Sequence, residues 1–183
     1  DTVAADRNIL YQLDCPPLLK VQADVQKCER ILLNLLSNAF KFVPDGGVVR
    51  IALRHAAEEI VLEIRDSGPG IPEDMREKVF ERFRQVENGV ERRVGGTGLG
   101  LSIVREFVAL QHGSVMVTQA PEGGAAFQVC LPDKAPPGSV VGSLAANEAT
   151  DTDLLIEDAR PLPRLSAQTD GQADAPLILV IED

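Results

Sequence analysis

The sequence predicts an α+β fold, a two-layer α/β sandwich in which a mixed sheet is covered on one face by helices. Several short segments alternate apolar and polar residues with the period of a strand, so each of these strands has one face toward water. Two longer segments lie among them and carry helix start and stop signals. Because the other face of such a sheet must be buried, we expect the helices to cover it.

Size and composition are those of one domain with an appendage. The chain has 183 residues, of which 44% are hydrophobic and none is tryptophan. No run reaches the roughly 18 apolar residues of a membrane helix, and no signal peptide opens the chain. We therefore expect a cytoplasmic domain, with or without a membrane anchor elsewhere in the parent protein. Three scattered cysteines, Cys15, Cys28 and Cys130, favour reduced thiols over a disulfide framework or a metal cluster.

The charge is uneven along the chain. Residues 1–132 carry 18 acidic and 15 basic residues, whereas residues 133–183 carry 10 acidic and 3 basic residues. The net charge of −10 therefore comes mostly from the tail. A polyanionic tail disfavours nucleic acid and anionic membranes as partners.

The first third of the chain predicts two strands and a long helix. Ile9, Tyr11 and Leu13 alternate with polar neighbours, which indicates a strand, and Leu18–Val21 indicates a second. A helix is expected over Val25–Phe42, with Asp24 as its N-cap. Residues 44–47 (PDGG) form a strong turn signal that ends it.

The middle and end of the domain predict two hairpins and two further helices. Residues 49–53 and 60–64 alternate as strands joined by a link at 55–59, and residues 115–118 and 126–131 form a second pair joined through 122–124. A short helix is expected over residues 72–83. Another is expected over residues 99–112, stopped by Gly113.

The tail differs from the domain in composition and periodicity. Residues 133–175 are rich in proline, alanine and acids and lack periodicity, which predicts a linker, with a short helical turn near 153–159. Residues 177–181 are a continuous apolar run followed by Glu182 and Asp183. This pattern is typical of a buried parallel strand with acidic residues at its C-terminal end, where open α/β sheets place their sites. Residues 176–183 therefore predict the start of a second domain.

The long helix carries polar residues on one face. Asn34, Asn38 and Lys41 recur at i, i+4 and i+7 of an otherwise apolar helix. A hydrated Mg²⁺ ion would satisfy an asparagine oxygen, and Lys41 would balance phosphate charge. The alternative is that both asparagines bond to loop backbone.

Two glycine-rich segments follow. Residues 66–70 (DSGPG) come directly after a strand, and Asp66 there is placed to accept from an exocyclic amine such as that of adenine, with help from a water. The alternative is a tight Gly-Pro turn capped by Asp66. Residues 95–101 (GGTGLGL) open a helix, where free N–H groups and the helix dipole favour phosphate.

Together these motifs resemble the histidine-kinase branch of the Bergerat-fold ATPases, the superfamily that includes gyrase, Hsp90 and MutL. Residues 34–41 (NLLSNAFK) resemble the N box, 66–70 the G1 box, 80–83 (FERF) the F box and 96–101 (GTGLGL) the G2 box. The resemblance spans about residues 8–132. It implies ATP and Mg²⁺ as cofactors, with Asn38 as the metal ligand and Asp66 reading adenine.

The resemblance also implies a wider set of site residues. The catalytic group is Asn34, Asn38 and Lys41. Residues 84–95 would form a mobile ATP lid, from which Arg92 or Arg93 reaches the γ-phosphate. The residues expected to bind the cofactor are Asn38, Lys41, Asp66, Gly68, Gly70, Ile71, Phe83, Gly96, Thr97, Gly98, Leu99, Gly100 and Leu101.

One residue separates a kinase from its hydrolysing relatives. Gyrase and Hsp90 carry a glutamate four residues before the magnesium-binding asparagine, where this chain has Asn34, which cannot act as a general base. The resemblance therefore implies a protein histidine kinase. The alternatives are a catalytically silent nucleotide-sensing module, a hydrolysing ATPase of the same superfamily, or an anti-sigma-type serine kinase, which the F box disfavours.

The resemblance implies partners that this sequence does not include. The phosphoacceptor histidine of the family lies on a dimerising helical hairpin, through which alone the protein would dimerise, and we expect His55 and His112 to be structural. Residues 177–183 resemble the first strand and acidic pair of a receiver domain. The parent protein would then be a bacterial hybrid sensor kinase, and we expect this part of it to make no direct contact with membrane or nucleic acid.

Overall fold

A computed structural model describes residues 7–84, 97–136 and 178–181, the last of these as backbone only. The strands are β1 (Leu10–Asp14), β2 (Leu18–Val21), β3 (Val48–Ala56), β4 (Glu59–Asp66), β5 (Ser114–Gln119), β6 (Ala125–Pro132) and β7 (Ile178–Ile181). The helices are α1 (Val25–Phe42) and α2 (Gly100–Leu110), and two short 3₁₀ turns cover Glu73–Met75 and Lys78–Phe80. The predicted lid, apart from Arg84, and most of the predicted linker lie outside the described residues.

Five strands form one mixed sheet in the order β1-β3-β4-β6-β5. β1 runs parallel to β3, and the other neighbours are antiparallel. α1 and α2 bury their apolar sides in the same core as the inward side chains of the sheet. The predicted two-layer sandwich with a mixed sheet is confirmed.

The core lies between the helices and the sheet. Its fully buried side chains come from both layers, including Leu35 of α1, Val104 of α2 and Ile64 of β4, each 0% exposed. Phe80 anchors the second 3₁₀ turn by packing edge-on against Phe127 of β6, with ring centroids 6.3 Å apart. Burying such side chains is the main stabilising contribution to the fold, about 1.5–3 kcal/mol for each.

Both ends of α1 are held by side chains. Asp24 accepts a hydrogen bond from the Lys27 N–H at 2.9 Å, which confirms it as the N-cap. At the other end the guanidinium of Arg7 donates to the carbonyl oxygens of Phe40 at 2.6 Å and of Val43 at 2.5 Å. Arg7 therefore satisfies the last carbonyls of the helix, a role not predicted from the sequence.

Two helix predictions need correction. Residues 72–83 do not form one helix but two 3₁₀ turns, because their buried residues, Val79 and Phe80, are adjacent rather than three or four apart. α2 ends at Leu110, and the left-handed residue beyond it is His112, with φ 58°, rather than Gly113. Gly113 is needed for space, since a Cβ there would lie 2.3 Å from the Cys130 carbonyl oxygen.

The first hairpin is tighter than predicted. β3 and β4 are joined by two residues, Ala57 and Glu58, instead of the five at 55–59, and Ala57 takes φ 57°. Positive φ is what a two-residue hairpin turn requires. The second hairpin, β5–β6, forms through residues 120–124 as predicted.

The strand predicted near the end of the chain is present as β7. It pairs in parallel with β2, outside the five-stranded sheet. That it opens a receiver domain stays a prediction. Within the described residues no helix has the length and hydropathy to span a membrane.

Candidate functional site

The site is organised around Asp66, the last residue of β4. Its side chain is buried, with the residue only 5% exposed. Oδ1 accepts two backbone hydrogen bonds, from the Gly68 N–H at 2.8 Å and from the Ala125 N–H at 3.2 Å. Within the part of the chain that the structure describes, Oδ2 makes no hydrogen bond, so this oxygen remains available to a ligand.

The environment of Asp66 shifts its proton affinity. Burial raises its pKa above the ordinary value of 3.8, because the charged form loses water. The two hydrogen bonds from Gly68 and Ala125 lower the pKa, and the negative charge of Glu122 raises it further. A buried carboxylate with a raised pKa is typical of a ligand-recognition site.

Glycines make room for the Asp66 carboxylate. A Cβ on Gly68 would lie 2.8 Å from Asp66 Oδ1, and Gly70 has φ 71°. Gly124, in the turn between β5 and β6, has even less space around it, since a Cβ there would lie 2.2 Å from Asp66 Oδ1. Sequence reasoning named Gly68 and Gly70 but missed Gly124, whose only signal was the Gly-Gly pair in a predicted connection.

The polar residues Asn34, Asn38 and Lys41 share one side of α1, and Asn34 lies against the start of α2. Asn34 and Asn38 are half-buried, and neither is enclosed in the core. The Asn34 amide donates to the Arg30 carbonyl at 2.7 Å, so the bond is to its own helix and not to a loop. The Lys41 ammonium lies 4.7 Å from the centre of the Phe42 ring.

The start of α2 is built around glycine. Gly98 has φ 69°, and its carbonyl accepts from the Phe83 N–H at 3.1 Å. Among the described residues no side chain caps the first turn, where Leu99 stands at the N-cap position. Its N–H groups and the positive end of the helix dipole are therefore suited to an anion.

The other predicted site residues differ in their exposure. Phe83 is 74% exposed and has φ 62°, held beside Gly98 by the backbone hydrogen bond. Thr97 is exposed, whereas Ile71 and Leu101 are half-buried and pack against the core. Gly96, Arg92 and Arg93 lie outside the described residues.

Close contacts bring the three motifs together. A Cβ on Gly68 would lie 3.0 Å from the Phe42 carbonyl oxygen, which places the Asp66 loop against the end of α1. A Cβ on Gly100 would lie 2.8 Å from Asn34 Oδ1, which places the start of α2 against the same helix. The predicted motifs are thus neighbours along α1, with the Asp66 carboxylate at one end of the candidate cleft between them and the start of α2 at the other.

The donors in this cleft fit a hydrated magnesium ion better than a metal held wholly by protein. Among residues 7–84 and 97–136 no group of three or more His, Cys, Asp or Glu side chains could hold a metal ion. Asn38 is half-buried and offers an amide oxygen, a hard ligand of the kind Mg²⁺ accepts beside waters and phosphate oxygens.

Comparison with known proteins agrees with this geometry. Residues 23–135 match the family described as histidine kinase-, DNA gyrase B-, and HSP90-like ATPase. The sensor histidine kinase TmoS of Ectopseudomonas mendocina is 43% identical over 190 aligned residues, covering 100% of this chain but only 19% of TmoS.

Solved structures show the same fold. The mycobacterial sensor histidine kinase MprB is 32% identical with a TM-score of 0.61, covering 74% of this chain and 89% of that one. Full-length ShkA in complex with AMPPNP is 30% identical with a TM-score of 0.63, covering 74% of this chain and 28% of that one. The chain therefore belongs to the histidine kinase-, DNA gyrase B- and HSP90-like ATPase family, and within it is an ATP-binding catalytic domain of the histidine kinase type.

Proposed function

We propose that this domain binds Mg²⁺-ATP and transfers the γ-phosphoryl group to a histidine on a separate dimerisation domain of the same protein. The observation that carries the proposal is the buried Asp66 carboxylate, whose Oδ1 is fixed by two backbone N–H groups while Oδ2 remains for a ligand. This geometry suits recognition of the exocyclic amine of adenine, through Oδ2 and a bridging water.

Residues farther from Asp66 would bind the metal and the phosphates. Asn38 would hold Mg²⁺, which when bound neutralises phosphate charge, and Lys41 would add a second positive charge. The N–H groups at the start of α2 would bind phosphate oxygens. Phosphoryl transfer depends mainly on positioning and electrostatic stabilisation, so a domain without the nucleophile can still carry most of the catalysis.

Asn34 favours transfer over hydrolysis. An amide cannot take a proton from water, and the Asn34 Nδ2 is engaged with the Arg30 carbonyl. None of the proposed site residues of α1 carries a carboxylate that could activate water. The proposed activity is therefore that of a kinase with little hydrolysis of its own.

We further propose that the parent protein is a cytoplasmic or membrane-anchored hybrid kinase whose receiver domain begins near residue 176. Two observations support this. The match to TmoS extends through the whole of this chain, tail included, and a strand forms at Ile178–Ile181 before the acidic pair. Histidine kinase catalytic domains act with phosphoacceptor domains and response regulators, and ThkA has been solved in complex with its response regulator TrrA.

Radiolabelled ATP tests the proposed reaction. The 183-residue chain alone should take up no acid-labile phosphate, on His55 or His112 or elsewhere. With a dimerisation domain of a related histidine kinase added, label should appear on that domain's histidine. Steady release of phosphate without transfer would instead identify a hydrolysing ATPase. Tight ATP binding with neither reaction would identify a nucleotide-sensing module.

A further inference from the structure

The turn between β5 and β6 presses directly on Asp66. Its own hydrogen bonds, from the Ala120 N–H to Gly124 at 2.8 Å and from the Gly123 N–H to Ala120 at 2.9 Å, close it into a compact loop. At its end, Gly124 and the N–H of Ala125 lie against Asp66 Oδ1. Any shift of this turn would therefore move a hydrogen-bond donor of the carboxylate.

An ion pair ties this turn to the middle of the sheet. Arg50 Nε, from β3, lies 2.9 Å from Oε1 of Glu122 in the turn. The Glu122 side chain is only 15% exposed, against 43% for Arg50. Because water screens the acid poorly there, the pair should be stronger than one on open surface. Within the described residues neither Arg50 Nε nor Glu122 Oε2 makes a hydrogen bond, so Arg50 and Glu122 interact as an ion pair through charge alone. Without Arg50 the turn would hold an uncompensated buried charge.

Arg50 pairs with the acid of the β5–β6 turn, whereas the neighbouring arginine has a different partner. Its direct cross-strand neighbour is Arg65 of β4, a like charge that disfavours the pair unless each finds an acid. Arg65 has its own partner, Glu63, at 3.0 Å. Two arginines on the open face of the sheet are thus each matched with one acid, and the acid of Arg50 is the one in the turn.

We propose that Arg50 is a positioning residue for nucleotide recognition. Through Glu122 it holds the β5–β6 turn in place, so that Ala125 fixes Oδ1 of Asp66 and Oδ2 faces the base. The inference rests on the proposed function, since it assumes that Asp66 reads adenine. Glu122 also lies close enough to Asp66 to raise the pKa of its carboxyl.

Calorimetric titration of two nucleotides into the 183-residue chain tests the proposal. ATP carries the exocyclic amine, whereas ITP carries a carbonyl oxygen at that position, so only ATP uses Oδ2 as acceptor. The variants are Arg50→Gln, Glu122→Gln and the charge-swapped pair Arg50→Glu with Glu122→Arg. Arg54→Gln is the matched control, because Arg54 is an exposed arginine on the same strand and the same face.

Each single variant should lose about three- to tenfold in ATP affinity, while ITP affinity changes by less than about twofold. The swapped pair should recover ATP affinity to within about twofold of wild type, and Arg54→Gln should match wild type. Unchanged ATP affinity in both single variants, or equal losses for ATP and ITP, would overturn the proposal. Glu122→Gln keeps the test decisive if Arg50→Gln fails to fold. If wild type binds no ATP, the proposed function itself is refuted.

Discussion

Asn34 of α1 and Gly100 of α2 meet where the two helices pack, and a Cβ on Gly100 would lie 2.8 Å from Asn34 Oδ1. This contact joins the asparagine stripe of α1 to the glycine-rich start of α2. At the opposite end of the two helices, the Asp24 N–H donates to Gln111 Oε1 at 3.0 Å. The helices are thus antiparallel, and their close approach at Gly100 depends on the absence of a side chain there.

Gly100→Ala should therefore weaken nucleotide binding more than folding. Alanine favours a helix by about 0.5–1 kcal/mol over glycine, which offsets the cost of moving the Asn34 side chain. We expect the free energy of unfolding to change by less than about 1 kcal/mol and ATP affinity to fall several-fold. Urea unfolding and calorimetry measure the two quantities. A loss of stability with unchanged ATP affinity would contradict the proposed role of this contact.

Asp66→Asn should weaken ATP binding without lowering the stability of the fold. The amide oxygen can still accept from Gly68 and Ala125, but Nδ2 is a donor and would face the adenine amine. We expect ATP affinity to fall about 10- to 100-fold. The variant should melt at the same temperature as wild type or higher at neutral pH, since it removes a buried charge. Wild-type ATP affinity in this variant would exclude Asp66 as the adenine acceptor.

The raised pKa of Asp66 sets the sign of two pH effects. Between 3.8 and its raised pKa the folded state binds more protons than the unfolded state, so this group's contribution to stability increases as pH falls through that window. ATP affinity should decrease as pH falls through the same window, because the adenine amine donates to the ionised carboxylate. Titrations at several pH values, with Asp66→Asn as reference, isolate this part of the pH dependence. Wild type and variant with parallel pH profiles would contradict it.

Gly124→Ala should damage both fold and site. The added Cβ would lie 2.2 Å from the Asp66 carbonyl oxygen as well as from Oδ1, and backbone cannot rotate away as a side chain can. We expect a loss of about 1–3 kcal/mol in stability and loss of ATP binding. Gly123→Ala is the control, because its Cβ meets nothing within 4 Å, although φ 99° adds backbone strain. It should lower stability but keep ATP binding, and equal ATP affinity in both variants would refute the crowding argument.

Arg7→Ala should destabilise the domain through the end of α1. The substitution removes two hydrogen bonds from a charged donor to helix carbonyls and the 2.7 Å ion pair with Asp45. We expect a loss of about 1–3 kcal/mol in urea unfolding. Arg82→Ala, which breaks only an exposed pair with Glu106, should cost less than about 1 kcal/mol. Equal losses from the two substitutions would contradict a capping role for Arg7.

Local signals were enough to predict much of the fold and to select Asp66 as a candidate site residue. Asp24 and the PDGG turn bracket α1, and both bounds of the helix agree with the prediction. Asp66 was identified because it follows an alternating strand and precedes two glycines. Such features act over a few residues, which is why sequence alone reveals them.

The residues that were missed act across long stretches of chain. Ala125 reaches Asp66 across 59 positions, and Arg7 reaches Phe40 across 33. Neither contact leaves a periodic or compositional mark at either end. The segment at 72–83 was wrongly predicted as a helix because tertiary burial of Val79 and Phe80, rather than helical spacing, decides its conformation.

Titration of Mg²⁺-ATP into the folded 183-residue chain tests the central claim most directly. The account predicts saturable binding at one site, lost when Asn38→Ala removes the proposed metal ligand and when EDTA removes the metal from wild type. Circular dichroism should show that the variant is folded. Wild-type protein that is folded yet gives no heat with Mg²⁺-ATP would contradict the account.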